Sequence, residues 1–458
     1  MKELLRILRY NTGTDKKAFV ELKEQFDAVV FNATIVAYSG SSVADLVSMH
    51  KRKYIIDPQT HIFQQDISAI MATNGKAENV EHIKKSVDKY LDQLPKSLAK
   101  ILREQQRPLN VPEIMSDIDD LVAKTYEFQT EYVSKYIKKK DYDKYLEFTD
   151  LQPSPKMVIA PYFMLKGSYS KGAISSWLHL NSECLRKTIE MESRSEEHHP
   201  IAAQLVLDKT VLELPNFADE VKKTYSSGGY EYIFIWIDDF DAFATSIDHV
   251  QAFADLIKKL NGIGKKPIMA YGGYESIILC NAESPVRLYG VAQSVGYGEY
   301  RPITPVGGGL PVNKYYFLPL HRRLKFGDAA TILSAHGYFT GSKSPADRAR
   351  DYYAHICDCR QCHHVIHNDI NNFKGYGDSI SYNIKTRNGI VLRNKPTYDA
   401  EVSAALHFLY CKAQEWDSVE KHTFTELVSE LRNNYKMYRP EMLSQIDKWC
   451  KVCGYRTN

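Results

Sequence analysis

Short apolar segments that end in polar or glycine residues recur along this 458-residue chain, and they alternate with amphipathic helical segments. This alternation is typical of folds in which helices cover a mainly parallel sheet. The candidate strands lie at about 28–38, 53–57, 157–164, 230–237, 267–271, 288–295 and 315–320. We therefore predict an α/β protein built on a TIM-type (β/α)8 barrel with helical insertions. A doubly wound sheet is the alternative, but no glycine-rich first turn supports it.

Residues 357–362 read CDCRQC, and they are the strongest chemical signal in the chain. A tight loop can turn three thiols spaced C-x-C-x-x-C toward one point, which is the geometry that a tetrahedral zinc takes from three of its four ligands. Three unrelated buried cysteines are the alternative, since free cysteine is often buried. Three of the chain's eight cysteines fall within six residues, and this favours a metal site.

These patterns divide the chain into two predicted domains. Residues 1–340 form the barrel and are expected to contain the active site, with a charged helical insertion at about 74–150. Residues 341–458 form a small zinc-binding subdomain with C-terminal helices. No run approaches the roughly 18 apolar residues of a membrane span, and the N-terminus is too interrupted by charge for a signal peptide. We expect a cytoplasmic protein with no membrane partner, and its net charge of +3 neither requires nor excludes nucleic acid.

Acidic residues follow two of the predicted strands. Asp57 ends the segment 53–57, where α/β barrels place reactive groups, although an Asx turn before Pro58 explains it equally well. Asp238 and Asp239 follow the strongly apolar run at 230–237, and helix capping is the alternative for Asp239. Gly272 and Gly273 follow another strand, and their missing side chains would let a ligand approach the backbone closely.

The cysteine segment and the barrel pattern together resemble the tRNA-guanine transglycosylase superfamily. Its barrel carries a C-x-C-x-x-C segment followed by a helical histidine, and residues 406–409 (LHFL) are similar to the stretch that contains this histidine. Residues 55–61 (IIDPQTH) stand where the family has a strand ending in D-S-G-G-F, and residues 267–273 (PIMAYGG) are similar to its later strand and glycine loop. The resemblance spans roughly residues 28–410. Loss of the glycines after Asp57 suggests the divergent branch that acts on DNA, the DNA-guanine transglycosylases of 7-deazaguanine modification systems.

The resemblance implies a structural Zn²⁺ bound by Cys357, Cys359, Cys362 and His407. The family's usual histidine position falls on Ala404, so His407 lies about one helical turn beyond it. The histidines next to the cysteines are the alternatives for the fourth ligand: His363, His364 and His367.

The resemblance also implies two carboxylates, one that attacks C1′ of the sugar and one that manages the proton on the base. Asp57 is the predicted recognition and proton-transfer group, with Asp238 or Asp239 as its partner. Glu299 is the third candidate, because residues 287–298, where the family's second carboxylate would lie, contain no acid. The predicted substrate-binding residues are His61, Gly272, Gly273 and Tyr297.

The predicted function is a pentosyltransferase activity that replaces guanine in DNA with a 7-deazaguanine base such as preQ0, through a covalent sugar–enzyme intermediate. The expected partners are DNA, the incoming base and other proteins of a DNA-modification system. A tRNA-acting enzyme is one alternative. The other is a non-catalytic, transglycosylase-like subunit that binds nucleic acid.

Overall fold

Eight parallel strands form a nearly closed barrel in the computed structural model of this chain, which describes residues 4–10, 13–50, 53–73, 81–139, 154–295, 299–303, 312–386 and 389–455. The strands are β1 (Leu5–Tyr10), β2 (Ala28–Asn32), β3 (Tyr54–Asp57), β4 (the two short segments Val158–Ile159 and Met164–Leu165), β5 (Ile201–Leu207), β6 (Tyr232–Ile237), β7 (Lys266–Met269) and β8 (Gly290–Ser294). Neighbours in the chain are neighbours in the sheet, and the predicted (β/α)8 barrel is confirmed.

Two seams close the barrel. At one of them β1 pairs with β8 along its length, with Leu5 opposite Gly290 and Arg9 opposite Ser294. At the other, between β3 and β4, the backbone N–H of Lys156 donates to the carbonyl of Tyr54 at 2.7 Å. A single parallel bridge between Tyr54 and Pro155 accompanies this bond, so this seam is the looser one.

Helices surround the barrel and fill the connections. The described α-helices are Gly13–Leu22, Ala33–His50, Lys85–Leu91, Lys96–Lys100, Val111–Ser116, Ile118–Lys139, Lys171–Glu192, Phe217–Thr224, Ile247–Asn261, Tyr274–Ile278, Phe326–Ala335, Pro345–His355, Arg360–Ile366, Tyr398–Lys421, Phe424–Tyr438 and Leu443–Val452. The helices between Lys85 and Lys139 lie between β3 and β4, where the sequence predicts an insertion, and two of them, Lys85–Leu91 and Ile118–Lys139, pack against Ala33–His50. Among the described residues, no helix is both long enough and apolar enough to cross a membrane.

The strand predictions need four corrections. β1 was not predicted, because Arg6 and Arg9 interrupt its apolar run, and β5 was overlooked. The predicted strand 28–38 ends at Asn32, and a helix with a break at Ser39 begins at Ala33. The predicted strand 315–320 is not part of the barrel, since Lys314–Phe317 pairs antiparallel with Arg322–Lys325 in a separate hairpin.

The barrel interior changes from apolar to polar toward the carboxyl ends of the strands. Alternate residues of each strand point inward, and one continuous apolar cluster fills the lower and middle part. The same alternation puts polar side chains at the top of this interior, where active sites of such barrels lie. These are Arg9 of β1, Asn32 of β2, Asp57 of β3 and Asp238 directly after β6.

The C-terminal part of the chain packs against the barrel wall. Arg6 of β1 donates to Asp417 at 3.1 Å and to Glu420 at 2.7 Å, both on the helix Tyr398–Lys421. The same helix packs on Gly13–Leu22 and on the strand Lys314–Phe317. β8, the last barrel strand, ends at Ser294. The hairpin at 314–325 lies after it and packs with the C-terminal helices. The exact domain boundary at 340/341 remains a prediction.

Candidate active site and metal centre

Asp57 is fully buried at the carboxyl end of β3 and accepts three hydrogen bonds. Arg9 Nη1 donates to Oδ2 at 3.0 Å, while the Tyr162 hydroxyl and the backbone N–H of Gln59 donate to Oδ1 at 2.5 Å and 3.1 Å. Burial by itself raises the pKa of Asp57, but the Arg9 charge and the Tyr162 hydroxyl outweigh it and the net pKa is lowered. Asp57 is therefore an ionised carboxylate, and it makes the Asx-type turn as well as the ion pair.

Arg9 is held in place by more than this carboxylate. Its side chain is 1% exposed, and its Nε donates to the carbonyl of Ala270 at 2.8 Å. Its guanidinium lies 4.5 Å from the ring centroid of Tyr271. The Asp57–Arg9 pair thus joins β1, β3 and the end of β7 across the top of the barrel.

Planar side chains surround this ion pair. His61 stacks on Tyr162 with ring centroids 5.3 Å apart, and its edge meets Trp236 at the same distance. Trp236 contacts Tyr271 at 4.7 Å. Arg301 donates to the Tyr271 hydroxyl at 2.6 Å, and its backbone carbonyl accepts from Trp236 Nε1 at 3.0 Å. We call these residues the aromatic site: His61, Tyr162, Trp236, Tyr271 and Arg301.

Two polar side chains, His61 of the aromatic site and Gln204 in the barrel interior, have unused hydrogen-bonding groups. Burial lowers the pKa of His61 to about 4, so its ring is neutral at physiological pH. Its Nδ1 is buried and has no hydrogen-bond partner. Gln204 is 1% exposed on the inward-facing side of β5, and neither atom of its amide has a partner among the described residues. Buried polar groups without partners are uncommon, and a polar ligand is one explanation for them.

The sequence analysis missed Glu275, which follows the glycine pair after β7. It is 3% exposed, and its Oε1 accepts from the backbone N–H of Gly273 at 2.9 Å. The Tyr300 hydroxyl donates to its Oε2 at 3.0 Å. Burial, and next the nearby charge of Asp241, raise the pKa of Glu275 to about 7. A carboxyl group with a pKa near neutrality can both give and take a proton at physiological pH. Asp241 itself is paired with Arg322.

The structure separates the two neighbouring aspartates after β6. Asp238 is half-buried, its Oδ1 accepts from the backbone N–H of Ile303 at 2.7 Å, and burial raises its pKa. Asp239 is exposed and has a left-handed backbone conformation with φ +44°. Of the two, Asp238 is the one that the strand alternation directs toward the barrel axis.

Glu299 lies in a buried network of charges beside the end of β8. Its carboxylate oxygens are 3.5 Å from Lys412 Nζ and 3.8 Å from Arg323 Nε. Lys412 also donates to Glu415 at 2.9 Å, and Arg323 donates to the carbonyls of Ser294 and Val295. Glu299, the third candidate for the second catalytic carboxylate, therefore has a structural role. It helps to join the end of β8 to the C-terminal helices.

The predicted glycines have close neighbours. A side chain at Gly272 would meet Ser276, and one at Gly273 would meet both Glu275 and Tyr300. A methyl group at Gly273 would therefore displace the Glu275 carboxylate or the Tyr300 hydroxyl that is bonded to it. Tyr297 lies outside the described residues.

The three cysteines of the CDCRQC segment and His407 form one buried cluster. The candidate ligand atoms of Cys357, Cys359, Cys362 and His407 all lie within 4.8 Å of one another, so the group could hold a metal ion. His407 Nδ1 is 3.9, 3.3 and 3.4 Å from the three thiols in that order. The other ring nitrogen, Nε2, donates to the carbonyl of Tyr316 at 2.7 Å, which directs Nδ1 toward the sulfurs.

A fourth thiol, missed from the sequence, lies beside this cluster. Cys411 is one helical turn after His407 on the helix Tyr398–Lys421, and its Sγ is 3.7 Å from Cys357 Sγ and 3.6 Å from His407 Nδ1. The i, i+4 spacing of His407 and Cys411 was visible in the sequence. His363 instead contacts Asp358 at 2.5 Å and is half-exposed, so it is not part of the cluster.

A surface groove of 570 Å³ lies at the other end of the barrel. Its lining includes Leu4, just before β1, Arg287, just before β8, and His422. None of the strand-end residues described above lines it. The groove is therefore separate from the aromatic site.

Neither the comparison with protein-family models nor the comparison with curated protein sequences finds a match for this chain. The arguments for function therefore depend on the residues themselves and on the resemblance noted from their pattern.

Proposed function

We propose that this protein is a base-exchange transglycosylase that replaces guanine in DNA with a 7-deazaguanine base. The observation that carries the proposal is the layer at the carboxyl ends of the strands. It combines a buried carboxylate–guanidinium pair with a set of planar side chains. Glu275, whose pKa is about 7, follows β7 at the same end of the barrel. A planar, hydrogen-bonding base extruded from a duplex suits such a layer.

The aromatic site provides the recognition. His61 and Trp236 offer ring surfaces against which a purine can pack, and the free Nδ1 of His61 offers a hydrogen bond to its edge. Asp57 is fully engaged by Arg9 and Tyr162, so its role is to hold these residues and the local charge in position. From the sequence, Asp57 was predicted to serve both recognition and proton transfer. We now assign it only the positioning of the recognition residues, and we assign proton transfer to Glu275.

The reaction needs a nucleophile and a proton donor. A carboxylate oxygen of Asp238 forms a bond to C1′ of the sugar as the bond from C1′ to the guanine nitrogen breaks, and the electron pair leaves with the base. Glu275 in its protonated form gives its proton to that nitrogen. In the second half, ionised Glu275 takes the proton of the incoming 7-deazaguanine, whose nitrogen attacks C1′ and releases Asp238.

We also propose that the Cys357–Cys359–Cys362–His407 cluster binds zinc. Tetrahedral zinc with Zn–S near 2.3 Å and Zn–N near 2.0 Å requires N–S separations of about 3.5 Å, and the observed range of 3.3–3.9 Å fits this. Four protein ligands leave no open position for chemistry, so the ion would be structural. It would fix the helix Tyr398–Lys421, whose Lys412 and Glu415 join the network at the end of β8.

The test is a base-exchange assay. Purified protein is incubated with duplex DNA or tRNA that carries labelled guanine, in the presence of preQ0, and loss of label is followed. We expect release from DNA by the wild type, loss of release in Asp238→Asn, and near-normal release in the matched neighbour Asp239→Asn. Release from tRNA alone would exclude DNA as the substrate but would still support the base-exchange reaction. Equal rates for the two variants would refute the role of Asp238.

One observation favours a second candidate, a non-catalytic nucleic-acid-binding subunit. Residues 287–298, where the resembling family places its second carboxylate, have no acid, and Arg323 occupies the carbonyls of Ser294 and Val295. This candidate predicts nucleic-acid binding without any release of label from either polymer.

A further inference from the structure

A long two-stranded ribbon follows the cysteine segment and extends away from the rest of the chain. Its strands, Ser379–Thr386 and Gly389–Pro396, pair antiparallel along their whole length. Most of its described side chains are exposed, including apolar ones: Ile390 is 66% and Leu392 65% exposed. A ribbon exposed on both faces contributes little to a core, so its sequence reflects some other use.

The charge of the ribbon differs from that of the whole protein. Residues 379–396 contain no Asp or Glu, whereas the entire 458-residue chain balances 59 basic against 56 acidic residues. The basic residues of the ribbon are Lys385, Arg387, Arg393 and Lys395. Arg393 and Lys395, whose side chains are exposed, form a local basic surface on a nearly neutral protein.

The strand register places basic and aromatic side chains together. Tyr382 pairs with Arg393, and Ile380 pairs with Lys395, so these four residues share one face. Lys395 Nζ lies 5.4 Å from the ring centroid of Tyr382. Leu392 lies on the opposite face. The face with Tyr382 therefore offers two positive charges and a ring to phosphates and sugars, beside the exposed Ile380, and the opposite face carries the exposed Ile390 and Leu392.

The base of the ribbon is attached to the metal cluster. The N–H of Thr397 donates to the carbonyl of Asp378 at 3.0 Å and closes the base. Just before it, the Tyr376 hydroxyl donates to Cys362 Sγ at 3.5 Å. Just after it, the helix that carries His407 begins at Tyr398. Both ends of the ribbon are thus held by residues at the cluster.

We propose that this ribbon binds the backbone and groove of double-stranded DNA and positions the duplex for the barrel. The choice of DNA as the polymer rests on the proposed function. The fit between the basic ribbon and a duplex does not depend on that function. A two-stranded ribbon fits the major groove, and Lys and Arg supply phosphate contacts. A second copy of this chain is a poorer occupant, because two ribbons would bring Arg393 and Lys395 of each copy together, and residues 379–396 contain no acidic residue to pair with them.

The experiment measures duplex binding by fluorescence anisotropy over a range of salt concentrations, with full-length zinc-loaded protein and a labelled 30-base-pair duplex. The test variant is Arg393→Ala with Lys395→Ala. The matched control, Lys222→Ala with Lys223→Ala, removes two exposed charges from the helix Phe217–Thr224 on the barrel. Both pairs are exposed, so both variants should fold, and zinc content and melting temperature verify this.

The ribbon variant should bind the duplex at least about tenfold more weakly at 0.1 M salt, and its log–log salt dependence should be shallower by about two, one per lost phosphate contact. The control should match the wild type. Unchanged affinity and slope in the ribbon variant would overturn the inference, as would a shift in oligomeric state with no change in binding.

Base exchange, measured on the same samples at saturating DNA, separates this inference from the proposed function. Ribbon-dependent binding without exchange would support the ribbon and refute the enzyme. Exchange with binding that does not depend on the ribbon would support the enzyme and refute the ribbon.

Discussion

Replacing Glu275 by Gln gives a variant whose stability relative to the wild type depends on pH in a calculable way. The buried carboxyl has a pKa of about 7, against an ordinary value of 4.5. In the unfolded chain it loses its proton near pH 4.5, whereas the folded protein keeps it until about pH 7. Ionisation therefore favours the unfolded state, and this destabilisation grows as pH rises through that window. Glutamine resembles the protonated carboxyl and is free of the effect.

The size of the effect follows from the two pKa values. The difference in free energy of unfolding, Glu275→Gln minus wild type, should rise by about 2.5 kcal/mol between pH 5 and pH 8. Most of this rise should occur below pH 7. The hydrogen bonds from Gly273 and Tyr300 contribute a pH-independent offset, because glutamine cannot accept both of them in the same way.

Urea unfolding at pH 5, 6, 7 and 8 measures this difference directly. Glu127→Gln, at an exposed position on the helix Ile118–Lys139, is the control for loss of one acidic group. A difference that stays constant from pH 5 to 8 would mean that Glu275 is already ionised at pH 5. That result would remove the basis for assigning proton transfer to it.

Four further substitutions test other parts of the site. Asp57→Asn leaves Arg9 buried without its anion and should reduce the free energy of unfolding by about 3 kcal/mol near pH 7. Because the pKa of Asp57 is lowered, the loss of unfolding free energy should be complete above about pH 4 and should become smaller as pH falls further. Urea unfolding measures this loss, and a value below about 1 kcal/mol at pH 7 would contradict the ion pair. Cys362→Ser should lower the zinc content, measured by mass spectrometry, well below one ion per chain, whereas Cys411→Ser should leave it near one. Zinc loss in Cys411→Ser but not in Cys362→Ser would mean that Cys411 is the ligand and Cys362 is not. Gly273→Ala should destabilise the protein by about 1–3 kcal/mol in thermal unfolding, since its methyl group enters occupied space, and an unchanged melting temperature would argue against that packing.

The barrel was predictable from the sequence because buried parallel strands are uniformly apolar. β6 and β7 were found in this way. β1 was not, because Arg9 looks like an exposed residue until Asp57, 48 residues later, is known to lie beside it. The missed β5 is different: its apolar run between Pro200 and Asp208 was readable and should have been identified.

The three cysteines of the metal cluster were readable from their spacing, whereas His407 came from the family resemblance, and the structure places it in the cluster. The geometry of His407 depends on the carbonyl of Tyr316, which comes from a hairpin 91 residues earlier in the chain. Glu275 was missed for a related reason. Its position after two glycines was visible, but its pKa depends on burial and on Asp241, and local sequence reveals neither.

The network around Lys412 suggests how the metal cluster and the barrel end depend on each other. Lys412 is fully buried and bonds to both Glu415 and the Tyr316 hydroxyl, while the Tyr316 carbonyl accepts from His407. A buried charge network tolerates little displacement, because each unpaired member is strongly destabilising. Loss of the metal should therefore disturb the end of β8 as well as the cysteine segment.

The most direct test of the central claim is the identity of the base left in the polymer. Duplex DNA and tRNA are each incubated with the zinc-loaded protein and preQ0, digested to nucleosides and analysed by mass spectrometry. The account predicts the 7-deazaguanine nucleoside in DNA, absent when Asp238→Asn replaces the wild type. DNA and tRNA that both retain only guanine, under conditions where the protein binds them, would contradict it.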